Sequence, residues 1–311
     1  MGSALVLGDR GSGLTTFVGL LYTAQVRLGT EDADEFRFHA DRESLRRLEG
    51  IYVELGMGKF PTADIDWEEH PLSFVFGFRR GPLAKIGHSG GSEEAEFAPV
   101  RVQVGGIPTD EIADLRDHDA VLDEPTRRLL RSPVLLPLID ATWLPVDPST
   151  IAGLPIRRYD QLLAKTLDLL GRYLSAEPRR RNRRMFPIFV VTKFDQIASE
   201  VLRALDAPYG SPAEWSRERR SALGLRLLER YLPGTARFVQ RQVSAALRID
   251  APVWFFSGLL TKEAANGSFE ILRRRRGEFG GWEPEYPFEE YRGLIEHLAR
   301  VARRIPSEVL A

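Results

Sequence analysis

The stretch Leu5-Val6-Leu7-Gly8-Asp9-Arg10-Gly11-Ser12-Gly13-Leu14-Thr15-Thr16 constrains the fold more than any other. A short apolar strand runs into a glycine-rich turn, and a helical pattern from Leu14 to Ala24 begins at once. Strand, turn and helix in immediate succession form the opening unit of an α/β sheet. The spacing follows G-x-x-x-x-G-K-[ST], with Gly8 and Gly13 in the glycine positions, Thr15 in the hydroxyl position and Leu14 where lysine belongs. In such a turn, backbone N–H groups and the helix N-terminus cradle phosphate oxygens, and a hydroxyl like that of Thr15 can bind Mg²⁺. The lysine that ordinarily reaches the outer phosphates is missing.

Composition narrows the remaining classes. At 311 residues, 43% of them hydrophobic, the chain has ample core material for one enlarged domain, and its net charge of -1 gives no global attraction to nucleic acid or anionic lipid. Without cysteine, disulfides, thiolate metal sites and thiol catalysis are excluded. The five histidines have no metal-ligand spacing. The first strand starts at residue 3 or 4, and no apolar run approaches a membrane span, so the expectation is a cytoplasmic protein without signal peptide or integral membrane segment. Only five lysines stand against thirty-eight arginines, which raises the question of why each lysine is there.

Apolar runs of strand length occur at 3–8, 73–78, 99–105, 133–139, 187–192 and 252–257, with helical patterns at 14–27, 41–55, 159–175, 213–232 and 288–304. The second and third strands are joined by the Gly-rich polar stretch Arg79 to Phe97, which reads as a long hairpin loop. The others are separated by helices, which requires parallel crossovers. The expectation is a mostly parallel sheet of about six strands with one antiparallel edge hairpin, in one domain over 1–311 with insertions at about 30–72 and 196–250. The arginine clusters 179–184 and 273–276 read as exposed connections.

A second motif closes the strand Phe189-Val190-Val191 with Thr192-Lys193-Phe194-Asp195. A carboxylate at the last position can accept two hydrogen bonds from the N1–H and exocyclic amine of guanine, an edge adenine does not present, while the stem of Lys193 lies along the base. With the turn at Gly8 and this strand order, the chain resembles the Ras-like division of P-loop GTPases, whose guanine-reading motif is [NT]-K-x-D. That resemblance implies a three-layer P-loop NTPase fold and a bound GTP or GDP with Mg²⁺. It implies that Gly8, Arg10, Gly11, Ser12, Gly13, Leu14, Thr15 and Thr16 surround the phosphates, and that Thr192, Lys193 and Asp195 surround the base. Ser257 and Gly258, after the next strand, take the place of its S-A-[KL] motif, whose backbone N–H meets guanine O6.

The chain departs from the family elsewhere. Where D-x-x-G is usual, Gln103-Val104-Gly105-Gly106 keeps Gly106 in register but puts Gln103 in place of the Mg²⁺-binding aspartate. Asp140, after the strand 133–139, is either a substitute carboxylate or an acid closing a buried strand. Thr62, in Gly58-Lys59-Phe60-Pro61-Thr62, is the candidate switch threonine and second Mg²⁺ ligand. A helix from Phe36-Arg37-Phe38 to Leu55 followed by this segment also looks like a group of prokaryotic GTPases of multi-component systems, although Thr62 falls earlier than their G-x-[FW]-P-x-x-T pattern writes it. Lys59 or Arg10 can stand in for the absent loop lysine, or face solvent.

The resemblance thus implies a guanine-nucleotide-dependent regulatory or assembly subunit with weak or partner-dependent hydrolysis and protein partners at its switch segments. The alternatives are a pseudo-GTPase interaction module and an ATP-binding P-loop protein in which T-K-x-D is accidental.

Overall fold

The computed structural model describes residues 2–9, 11–31, 36–61, 72–79, 97–106, 132–147, 149, 154–176, 183–240, 247–263, 269–275, 281–302 and 304. The strand β1 (Gly2–Gly8) leads into helix α1 (Leu14–Glu31), followed by β2 (Phe36–Ala40), α2 (Arg42–Gly56), β3 (Leu72–Arg79), β4 (Phe97–Gly106) and β5 (Val134–Asp140). The second half runs α3 (Pro155–Ala176), β6 (Arg183–Thr192), α4 (Ser199–Ala204), α5 (Arg217–Tyr231), α6 (Pro233–Gln240), β7 (Leu247–Ile249) and β8 (Val253–Phe256). Two short hairpins, β9 (Thr261–Glu263) with β10 (Phe269–Ile271) and β11 (Arg273–Arg275) with β12 (Trp282–Pro284), precede α7 (Phe288–Ala302).

The main sheet has eight strands in the order β2-β3-β4-β1-β5-β6-β7, with β8 also paired to β6. From β4 through β8 every pairing is parallel, whereas β2, β3 and β4 are antiparallel neighbours. All seven residues of β5 are buried, as expected of a central parallel strand covered on both faces. Along β1 the pleat sends alternate side chains to opposite sides. Ala4 and Val6 join a core with α1, α2 and α7, while Leu5 and Leu7 join a second core with α3, α5 and α6. Helices therefore cover both faces of the sheet, and the loops at the C-terminal ends of β1, β5, β6 and β8 share one rim.

Six strands were expected, and their positions agree with β1, β3, β4, β5, β6 and β8 to within a few residues. The sheet is larger for two reasons. Phe36-Arg37-Phe38-His39-Ala40 is not the start of a helix but an edge strand: its burial has the period-two beat of a strand, and it pairs with β3. The helix starts only at Arg42, where Asp41 caps it by accepting the Ser44 N–H at 2.8 Å. At the other edge, β7 and β8 line the same neighbour, β6, at Arg183–Met185 and Ile188–Val191. Pro252, without an N–H to give to a ladder, falls in the gap between them.

The second arginine cluster is exposed, as expected, but it is a strand and not a connection: Arg273, Arg274 and Arg275 form β11, facing Pro284, Glu283 and Trp282 of β12. Residues 80–96, between β3 and β4, and 179–182 lie outside the described residues, while Arg183 and Arg184 of the first cluster are not a connection but the start of β6.

Candidate functional site

The turn after β1 is shaped by glycine. Gly11 and Gly13 have φ of +84° and +79°, a left-handed backbone that residues with a Cβ adopt only at a cost. The Ser12 N–H closes the turn on the Asp9 carbonyl at 3.0 Å, and the first intrahelical bond of α1 runs from Phe17 N–H to the Gly13 carbonyl at 2.8 Å. The side chain at position 8 must be hydrogen, because a Cβ there would stand 2.7 Å from Ser12 Oγ. That hydroxyl is buried and has no hydrogen-bond partner among the described residues. Around Gly11 the space is open: chain neighbours aside, no atom of the described residues comes within 4 Å of where a Cβ would sit.

Leu14, in the lysine position, is only 6% exposed and belongs to the core beneath the turn. It thus neither supplies charge to the mouth nor plugs it. Thr15 and Thr16, on the first turn of α1, are partly exposed. Gly106 ends β4 directly opposite Gly8, beside the turn. Gln103 is another matter. It sits opposite Leu5 and Ser73, three residues back, which at roughly 3.3 Å per residue is about 10 Å down the strand from the rim. Its backbone position, and not only its amide, takes it away from the rim. Arg10 and Thr62 lie outside the described residues. Lys59 is exposed and closes the end of α2, its N–H bonded to the Glu54 carbonyl at 2.9 Å while the Gly58 N–H bonds that of Leu55 at 3.0 Å.

The second motif meets the first. Thr192 Oγ1 donates to the Ser12 carbonyl at 2.7 Å, and Lys193 Nζ donates to the Gly11 carbonyl at 2.8 Å, contacts that join residues about 180 positions apart in sequence. Lys193 itself is left-handed, with φ of 51° and ψ of 34°, so the chain turns sharply where β6 ends. A residue with a Cβ in this conformation is held there by its surroundings. The surroundings include Asp140. Fully buried at the end of β5, its carboxylate takes Lys193 Nζ on Oδ2 at 2.5 Å and both the N–H and hydroxyl of Thr142 on Oδ1, at 2.8 and 2.6 Å. Asp140 is thus an acid closing a buried strand, and its oxygens are committed to Lys193 and Thr142. Reading the strand ends alone does not show the ion pair; its signal is that Asp140 and Thr192 are directly paired between β5 and β6.

Asp195 lies on the 3-10 turn Phe194–Gln196 and leans to the end of β8, where its Oδ1 accepts the Leu259 N–H at 3.0 Å. Gly258 makes this approach possible, since a Cβ there would come within 2.9 Å of the same oxygen. The Asp195 carboxyl is raised above its ordinary range mainly because neighbouring chain strips it of water, an effect only partly offset by the Leu259 N–H and the Lys193 charge. Ser257 is held from both sides. Its N–H bonds the Val191 carbonyl at 2.8 Å, its carbonyl takes the Phe194 N–H at 3.0 Å, and its hydroxyl shares a short hydrogen bond with Tyr291 of α7. Burial pushes the Tyr291 phenol far above its ordinary value, so it stays neutral. The neighbouring Glu290 accepts the Phe256 N–H at 3.2 Å and is paired with Arg220. Helix α7 therefore fixes the end of β8, a role the sequence pattern of that helix does not reveal.

These contacts gather three strand ends at the rim: the glycine turn after β1, Thr192 to Asp195 after β6, and Ser257 to Leu259 after β8. Such a rim is where open α/β sheets bind ligands. Its polar groups include backbone N–H groups at a helix N-terminus, a lysine and a carboxylate. Among the described residues no group of three or more His, Asp and Glu side chains could hold a metal ion, and no helix is long and apolar enough to cross a membrane. No protein-family model matches the chain, and no curated protein matches it.

Proposed function

We propose that this chain binds a guanine nucleotide at the rim and acts as a regulatory or assembly subunit of Ras-like, P-loop type, with the whole of 1–311 as one such domain. The observation that carries this reading is the direct bonding of Thr192 and Lys193 to the Ser12 and Gly11 carbonyls, which sets a base-reading motif beside a phosphate-cradling turn. The groups present fit the ligand. A turn with left-handed Gly11 and Gly13, open space at Gly11 and the N-terminus of an 18-residue helix suits a diphosphate. The stem of Lys193 flanks the base, Asp195 receives its N1–H and amine, and the backbone at Gly258 meets O6. Thr15 would be a ligand for Mg²⁺.

Binding and turnover part company in this chain. One lost charge-assisted hydrogen bond weakens binding by roughly 1.5–3 kcal/mol, about one to two decades, which a tight nucleotide site can absorb. Hydrolysis depends on charge that develops only in the transition state, so replacing lysine by a core leucine costs it more. Turnover is accordingly slow, or waits for a partner that supplies the missing cation.

The test is to release any nucleotide that co-purifies with the full chain, identify it by chromatography and mass spectrometry, and titrate the emptied protein with GDP, a non-hydrolysable GTP analogue and ADP. Guanine nucleotide is expected in both assays. Recovery of ATP or ADP, or an affinity for ADP equal to that for GDP, overturns the base assignment. Equal affinity for GDP and the GTP analogue leaves a nucleotide-bound interaction module and removes the switch, because a ligand without preference cannot shift an equilibrium.

A further inference from the structure

Four of the most exposed large apolar side chains lie together, well apart in sequence from the glycine turn: Val53, Met57 and Phe60 at the end of α2 and Trp282 on β12, at 48%, 58%, 44% and 54% exposure. Val53, Met57 and Phe60 follow one another at helical and cap spacing. The hairpin joins them because Gly56 packs on the Trp282 carbonyl, Arg273 Nη1 donates to the Gly56 carbonyl at 3.2 Å, and Arg273 lies over the Trp282 ring at 5.4 Å. Scattered exposed apolar residues need no explanation, but a cluster does. Tryptophan, methionine, phenylalanine and arginine are also the side chains enriched in protein interfaces.

Two further observations say what covers the cluster. Cations nearby on the same hairpins are neutralised, Arg274 by Glu283 at 2.7 Å and Lys262 by Glu270 at 3.1 Å. Lys59, Arg273 and Arg275, which border the apolar residues, have no carboxylate partner among the described residues. Gly50, one turn before Val53, is exposed in mid-helix with open space where a Cβ would be. A helix interior is weakened by glycine, and nothing among the described residues requires it there. It leaves bare backbone for a close approach from outside.

We propose that Gly50, Val53, Met57, Phe60, Trp282 and the cations beside them form a docking surface for another protein's acidic segment, one that carries a large apolar side chain into the angle between α2 and the β11–β12 hairpin. The apolar residues supply the desolvated centre, and Lys59, Arg273 and Arg275, which have no carboxylate partner among the described residues, supply the complementary charge. This surface is independent of the nucleotide reading.

The experiment selects a phage-displayed random 16-residue peptide library on the full-length chain. Enriched peptides are then compared for binding to the wild type, Met57→Glu and Arg275→Glu, the last being an exposed strand residue whose reversal spares the core. Enriched peptides should combine Asp or Glu with Trp, Phe or Leu, lose at least about tenfold in affinity to both variants, and weaken with salt. No enrichment, neutral or basic peptides, or peptides that bind both variants unchanged overturn the proposal. So does a dimer of the chain, seen by light scattering, that Met57→Glu dissolves, since a second copy is then the occupant. Flotation with vesicles of phosphatidylcholine and phosphatidylserine that both variants abolish also overturns it, in favour of a membrane.

Discussion

The two ends of the proposed nucleotide site have been treated differently. At the base end every polar group expected of it is present and locked: Thr192 and Lys193 on the glycine turn, Asp195 on the Leu259 N–H, Ser257 on Tyr291. At the proposed phosphate end the glycine turn is in place, while position 14, where a cation would be expected, holds a leucine packed in the core. Recognition by backbone groups survives such a loss because the N–H donors belong to the main chain. Chemistry that needs a mobile cation does not. On the proposed reading, the backbone donors that would hold a nucleotide are independent of the side-chain charge that its turnover would need.

The largest expected effect tests whether the base end is as rigid as its contacts imply. Lys193→Met removes the partner of a fully buried carboxylate, and breaking a buried pair in this way costs about 3–5 kcal/mol. Lys193 is itself one-third exposed, which places the loss at the lower end. Chemical denaturation of the variant and of Asp140→Asn/Lys193→Met measures it, and the double variant should recover much of the loss because no charge is left buried. Equal stability of wild type and Lys193→Met would mean that Asp140 is relieved in another way.

Next comes specificity. Asp195→Asn should lower GDP affinity by at least about 100-fold, the lower end for two hydrogen bonds to a charged group, and favour xanthine nucleotides, whose edge offers an acceptor where guanine offers an amine. Competition binding with GDP and XDP reads this directly. An unchanged preference would uncouple Asp195 from the base and leave the contrast between the two ends without its stronger half.

Much of this contrast is legible in the sequence because both motifs are local: each is a strand running into a short turn, and apolar runs locate the strands well. What is not legible is non-local. Phe36-Arg37-Phe38-His39-Ala40 alternates apolar and polar, a local strand signal, but which neighbour it pairs with, β3, is not written in that pattern. The ion pair of Lys193 with Asp140 depends on β5 and β6 being neighbours. The position of Gln103 depends on the register of β4 against β1: a motif spaced correctly along the chain is lowered by three rungs in space. The hydroxyl of Ser257 is spoken for by a helix more than 30 residues downstream.

Leu14→Lys probes the weaker end. Removing a buried leucine from the core costs stability, on the order of 2–3 kcal/mol, unless the longer chain carries its ammonium out to the turn. If the rest of the phosphate end is intact, affinity for the GTP analogue should rise about tenfold over that for GDP and single-turnover hydrolysis should quicken. A variant that folds, binds GDP as before and gains neither would show that more than one charge is missing, in keeping with the distance of Gln103 from the rim.

The smallest effect is the dependence of binding on pH. Guanine donates its N1–H and amine to an ionised carboxylate, so the nucleotide binds the charged form of Asp195 and lowers its pKa in the complex. In the free chain that carboxyl is raised above its ordinary value by desolvation. Affinity should therefore be full at neutral pH and fall as the pH drops through the raised value, with a proton released on binding in that window. His297 on α7 is held down at about 4, first by burial and then by Arg300, so between its unfolded value of about 6.5 and that point the unfolded chain takes up the extra proton and stability also falls with acid. Calorimetry separates the two: titration of GDP in two buffers of different ionisation enthalpy counts protons released on binding to the folded chain. The release should disappear in Asp195→Asn and persist in His297→Phe. Release that survives in Asp195→Asn would place the titrating group, and with it the base, elsewhere on the rim.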